Sequence, residues 1–157
     1  MFKLAAAGIL TLIASTAMAQ TATQTVTFQV DAINQISVAG SVSLDINSAI
    51  AGSAPTSVAS SVSSWAVTTN QTGAKITGSL AVAMPAGVTL SANLAPAPGA
   101  TSAGLKALTT TAVDLVTTIT KLNASGLGLT YQLDATAAAG VVTSSSRVVT
   151  YTITGGV

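Results

Sequence analysis

The sequence predicts an all-β chain, an antiparallel β-sandwich of immunoglobulin-like or jelly-roll-like type, on three observations. Ala, Val, Thr, Ser and Gly dominate, and apolar side chains recur at every second position in short runs, the period of a half-buried strand. Clusters of Gly, Pro, Asn and Ser punctuate those runs at short intervals, as turns do between the strands of a sandwich. Residues 20–157 suit a single domain large enough to bury its own core, and with no cysteine in the chain that core cannot lean on disulfides.

Residues 1–19 are set apart as a secretory signal peptide. Lys3 supplies the basic start, Leu4 to Ala14 form an apolar run too short to span a bilayer, and Ala17-Met18-Ala19 is a small-x-small cleavage site. Export and a mature start at Gln20 are the expectation. Lys3 is one of five basic residues, against four Asp, so residues 20–157 carry no net charge.

The first run of the mature chain, "TATQTVTFQV", puts Val26, Phe28 and Val30 on one face and Thr25, Thr27 and Gln29 on the other. This predicts a strand across 21–32, either kept in its own sheet or given to a neighbouring subunit. Further strands are expected at 35–40, 42–46, 63–70, 74–84, 88–95, 105–111, 127–136 and 146–154. Breakers fall at 47–57, 70–73, 84–87, 95–104, 123–126 and 135–140. Leu127, Leu129, Tyr131 and Leu133 share a face, as do Val149, Tyr151 and Ile153. The expectation is that these two strands are antiparallel neighbours. Trp65, Tyr131 and Tyr151 are the candidate core anchors.

Residues 111–122, "TAVDLVTTITKL", break the alternation. Val113, Leu115, Val116, Ile119 and Leu122 fall near helical spacing, while the β-branched content opposes a helix. One short helix, or two short strands crossing between sheets, are the two alternatives there.

The chemistry is bounded by exclusion. With no His, Cys or Glu, neither a Ser-His-Asp nor a Cys-His centre can be built, nor a zinc site of the usual ligands. Asp31, Asp45, Asp114 and Asp134 are far apart in sequence and form no calcium-loop pattern. No glycine-rich phosphate loop occurs, and charged residues at 6% offer nucleic acid no basic surface. The reading is of a protein that is not an enzyme, with no catalytic residue, cofactor or metal. "NQT" at 70–72 and "NAS" at 123–125 match the glycosylation sequon, a tripeptide common by chance in such a chain.

"VTFQVDAINQISVAG", "WAVTTNQTGAKITGSL" and the closing "LTYQLDAT" and "RVVTYTIT" together resemble bacterial secreted β-sandwich proteins of the surface and matrix kind, pilin-like or WxL-like in style. The chain differs from WxL domains in ending on "VTYTIT" where they carry a second Trp-x-Leu, and from disulfide-bearing pilins in having no cysteine. The resemblance implies an extracellular structural or adhesive role.

Two functions follow as expectations. The first is a subunit of a filament or surface matrix, self-associating by strand complementation through residues 21–32. The second is a monomeric secreted or periplasmic adhesion or binding module using loops 47–57 and 95–104.

Overall fold

The computed structural model describes residues 18–157, so all but the end of the signal-peptide reading lies outside the described residues. The chain divides into two units, Met1–Val30 and Asp31–Val157. Among the described residues the second holds all of the strands: β1 Asn34–Ala39, β2 Val58–Thr69, β3 Ala74–Leu80, β4 Val88–Leu94, β5 Thr101–Ser102, β6 Lys106–Ala107, β7 Val113–Ile119, β8 Leu122–Ala135 and β9 Val149–Thr154. A single 3₁₀ turn, Ala137–Ala139, is the one helical element among the described residues.

Two antiparallel sheets pack together as a sandwich. One has five strands in the order β1-β2-β8-β4-β6, the other four in the order β5-β7-β3-β9. From β3 onward every strand lies in the opposite sheet from its predecessor. Successive strands therefore face each other across the core, and each ladder after β1-β2 joins strands that are not consecutive.

The core follows from the period-2 pattern. On β3, Ala74, Ile76, Gly78 and Leu80 are buried while Lys75, Thr77 and Ser79 lie further out. Trp65 and Val67 of β2, Ala92 and Leu94 of β4, Leu115, Val116 and Ile119 of β7, Leu129 and Tyr131 of β8, and Ala97 and Leu108 between strands complete the cluster. Fully burying each large aliphatic of this set contributes about 1.5–3 kcal/mol relative to leaving it in water.

Several expectations are corrected. Of the two alternatives at 111–122 the structure takes the crossing and not the helix: β7 lies in the smaller sheet, and the chain passes to the larger one as β8 begins at Leu122. The helix-like spacing there arises from two register shifts against β3, around Ile76, with Thr118 in the left-handed region at φ 57°. The irregularity changes the strand's phase, so Leu115, Val116 and Ile119 are all buried where plain alternation would expose one of them.

The expected breaker at 123–126 lies inside β8, which runs unbroken from Leu122 to Ala135. Gly126, at φ 65°, accommodates the shift between the Val67–Ala124 and Trp65–Leu127 pairs, so the glycine bends the strand without ending it. β8 and β9 are not neighbours: β8 lies between β2 and β4, and β9 pairs with β3 in the opposite sheet.

Residues 42–46 form no strand, although Val42 and Leu44 still pack on the core. Gly40, at φ 105°, turns the chain off the β1-β2 ladder just before them. Residues 105–111 yield only the two-residue β6, and the expected breaker 95–104 contains β5. The strand expected at 21–32 is also absent: among the described residues no strand begins before Asn34.

Candidate functional site

The N-terminal segment is described on its own. Residues 18–30 contain no strand and are exposed throughout. Val26, Phe28 and Val30 are 72%, 89% and 76% exposed. Three large apolar residues at alternate positions thus lie open to solvent, on a stretch whose other positions are mostly Thr and Gln. A single exposed hydrophobe is ordinary; a period-2 series without a ladder is a strand pattern lacking its sheet.

In the second unit, the chain entering β1 is fixed by Asn70, in the turn between β2 and β3. The Ile33 amide donates to Asn70 Oδ1 at 2.8 Å, and Asn70 Nδ2 donates to the Asp31 carbonyl at 2.7 Å. The Asn70 amide also donates to the Ile33 carbonyl at 3.3 Å. Beside it, Thr69 Oγ1 donates to Asn34 Oδ1 at 2.7 Å, and Asn34 Nδ2 donates to Gln71 Oε1 at 2.9 Å. The same turn holds the C-terminal end, through paired backbone bonds between Thr72 and Val157 of 2.9 and 3.1 Å. Asp31 and Ile33, at the start of the second unit, are therefore fixed to the β2–β3 turn.

Sequence reasoning treated Asn70 only as a turn residue and a sequon position. The available signal was the capacity of Asn in a turn to bond backbone both as donor and as acceptor. Those bonds occupy the side-chain amide that glycosylation would require.

The sandwich presents two kinds of edge. β5 and β6 are two residues long, a common natural guard against edge-to-edge pairing. β1 and β9 are six residues each and end their sheets, with a ladder partner on one side only. On β9, Val149, Tyr151 and Ile153 pack on the core while remaining only partly buried.

The three anchor candidates have distinct positions. Trp65 is 1% exposed, and its indole Nε1–H has no hydrogen-bond partner. Tyr131 is buried on β8, and Tyr151 on β9 meets it from the other sheet with a hydroxyl–hydroxyl hydrogen bond of 2.6 Å. Burial raises the pKa of both phenols above the ordinary value; the shared hydrogen bond raises Tyr151 further and partly offsets the rise at Tyr131.

The loops proposed for a binding module are ordered by their own contacts. Residues 47–57 close through an Ala49–Pro55 bridge and a Thr56 amide to Ser48 carbonyl bond of 2.9 Å. In 95–104, Ala97 is buried, and Ser102 Oγ donates to the Leu94 carbonyl at 2.7 Å. Two surface depressions lie away from both loops. The first, of about 360 Å³, is bordered by Ile33, Asn70, Lys121 and Leu122; the second, of about 250 Å³, by Met84, Val88 and Leu108.

The carboxylates are dispersed. Asp114 pairs with Lys75 at 2.9 Å on the surface, and Asp134 accepts from Ser57 and Gln132. Among the described residues no group of three or more His, Cys, Asp or Glu could hold a metal ion, and no helix is long and apolar enough to cross a membrane. Comparison with protein-family models finds no match, and neither do comparisons with curated proteins and with solved structures.

Proposed function

We propose that this chain is an exported structural subunit that assembles into a filament or surface matrix by giving its N-terminal segment, residues 21–32, to the sheet edge of a neighbouring copy. The observation that carries the reading is the exposure of Val26, Phe28 and Val30 on a segment with strand periodicity and no strand. A strand-like segment gains its backbone hydrogen bonds and side-chain burial together when it joins a sheet edge. About ten residues at ~3.3 Å each reach roughly 33 Å, enough to cover an edge the length of β1 or β9.

The low charge supports the same reading. Charged residues at 6% leave little electrostatic resistance to self-association, a liability in a monomer and tolerable in a building block. Donation from one copy to the next is head to tail and does not close on itself, so its product is a fibre. The leader at residues 1–19 supports assembly outside the cytoplasm, as does the resemblance to secreted surface and matrix proteins. The alternative of a loop-based binding module gains no support from the two depressions described above, which are lined by residues outside 47–57 and 95–104.

The test is the state of the chain across a concentration series, by size exclusion and negative-stain microscopy, with and without residues 20–31. Fibres from the parent chain that vanish on deletion support donation. Unaltered fibres after deletion, or a parent chain that stays monomeric at every concentration, refute it.

A further inference from the structure

Two long edges are open, and donation alone does not say which is used. Resting on the reading above, we infer that the donated segment of a second copy lies along the free edge of β9, completing the smaller sheet.

The first argument is strand count. The sheets have five and four strands, and β9 ends the shorter one. One strand added beyond β9 makes the two layers equal. The same addition beyond β1 would make them six and four.

The second argument is which side chains lack cover. On β9 the three core-facing residues, Val149, Tyr151 and Ile153, are all partly buried and all pack on the hydrophobic cluster. Apolar contact there runs the full length of the edge and is incomplete at each step. On β1, Ile36 is the one strand residue that packs on that cluster; Asn34 is tied into a polar network, and Val38 is exposed.

The third argument is register. Residues paired across neighbouring strands point to the same face of the sheet. Val26, Phe28 and Val30 recur at the same spacing as Val149, Tyr151 and Ile153, so three apolar residues meet three. Thr25, Thr27 and Gln29 then face outward with Thr150, Thr152 and Thr154, matching polar to polar. A shift by one residue would turn Phe28 to solvent, so the pattern selects its own alignment.

Because the chain has no cysteine, introduced pairs can be read without background. The full chain, expressed with its leader, carries Thr27→Cys together with Thr150→Cys or, separately, with Thr152→Cys. A third variant joins Thr27→Cys to Ser37→Cys on β1. Each is oxidised at a concentration that gives fibres and run on a non-reducing gel. A covalent ladder from either β9 pair, with none from the β1 pair, is the expected result. Hydrogen exchange on the unsubstituted chain reads the same point: the amides of 149–154 gain protection on assembly and those of 34–39 do not. A ladder from the β1 pair alone, with protection at 34–39, overturns the β9 assignment and leaves donation standing. Fibres with a ladder from no pair and no protection at either edge overturn both.

Discussion

Tyr131 and Tyr151 meet across the core from opposite sheets, their hydroxyls 2.6 Å apart. The contact gives β9 a polar tie to the larger sheet besides its ladder with β3. Burial, together with this bond, keeps the proton on Tyr151 well above the phenol's ordinary value of 10.0, and Tyr131 is raised as well. The folded state therefore holds protons that the unfolded chain releases above pH 10, and stability falls as pH rises beyond it. Below that pH the pair contributes fully. A urea series from pH 7 to 11 should be nearly flat to pH 9 and then drop, each raised phenol steepening the loss by at most about 1.4 kcal/mol per pH unit. Tyr151→Phe should cost about 1 kcal/mol at pH 7, by leaving Tyr131 without its partner, and should flatten the alkaline limb. An equally steep limb in the variant would mean that other groups control it.

Gly78 is a place where the core requires the absence of a side chain. A Cβ there would stand 2.6 Å from Leu115 Cδ1 and 3.3 Å from Leu108 Cδ2. Gly78→Val should destabilise by about 1–3 kcal/mol through overpacking, despite the better strand propensity of Val. Thermal unfolding reads it directly, and a higher melting temperature would refute the crowding.

Trp65 combines near-complete burial with an indole N–H that lacks a partner. Truncation to Ala should cost about 3–5 kcal/mol by opening a cavity. Trp65→Phe should cost clearly less than the volume change alone implies, because it also removes an unsatisfied donor whose burial is worth about 1–3 kcal/mol. A loss from Trp65→Phe as large as its volume change alone implies would show that the orphaned donor carries no penalty.

The layered all-β architecture was legible because β3 and β9 keep plain alternation throughout, as β2 does from Ser63 to Thr69, and one face of such a strand is all that period 2 has to encode. Where bulges interrupt the ladder, the same rule failed: at β7 it imitated a helix, and at Gly126 it imitated a turn. The partnership of β8 with β9 was misread because two apolar faces can meet by packing across a core as well as by lying side by side. Tyr131 and Tyr151 do the former. The candidate site was legible in its pattern at Val26, Phe28 and Val30. The role of Asn70 was not, since it depends on a contact between residues far apart in sequence.

Asn70 should govern the entry to β1 with modest effect on the rest. Asn70→Ala removes the side-chain bonds to Ile33 and Asp31 and should cost about 1–2 kcal/mol, each neutral bond contributing ~1 kcal/mol net. Amide exchange should speed up at Ile33, with the β3 core amides slowed or hastened only as global stability dictates. Unchanged exchange at Ile33 would remove the clamp.

Phe28 separates folding from assembly. It is 89% exposed in the single chain, so Phe28→Asp puts a carboxylate into water and should leave the melting temperature of the dilute chain within the ±0.5 kcal/mol typical of surface changes. In a fibre held by strand donation the same carboxylate would have to be buried without a partner, at a cost of at least several kcal/mol. Assembly should therefore fail at concentrations where the parent forms fibres. Phe28→Leu, which keeps an apolar side chain, should restore it. If Phe28→Asp assembles as readily as the parent, Phe28 does not enter the interface and another segment carries the contact. If instead the dilute variant melts far below the parent, Phe28 serves its own domain, and the N-terminal segment is not held out for a neighbour.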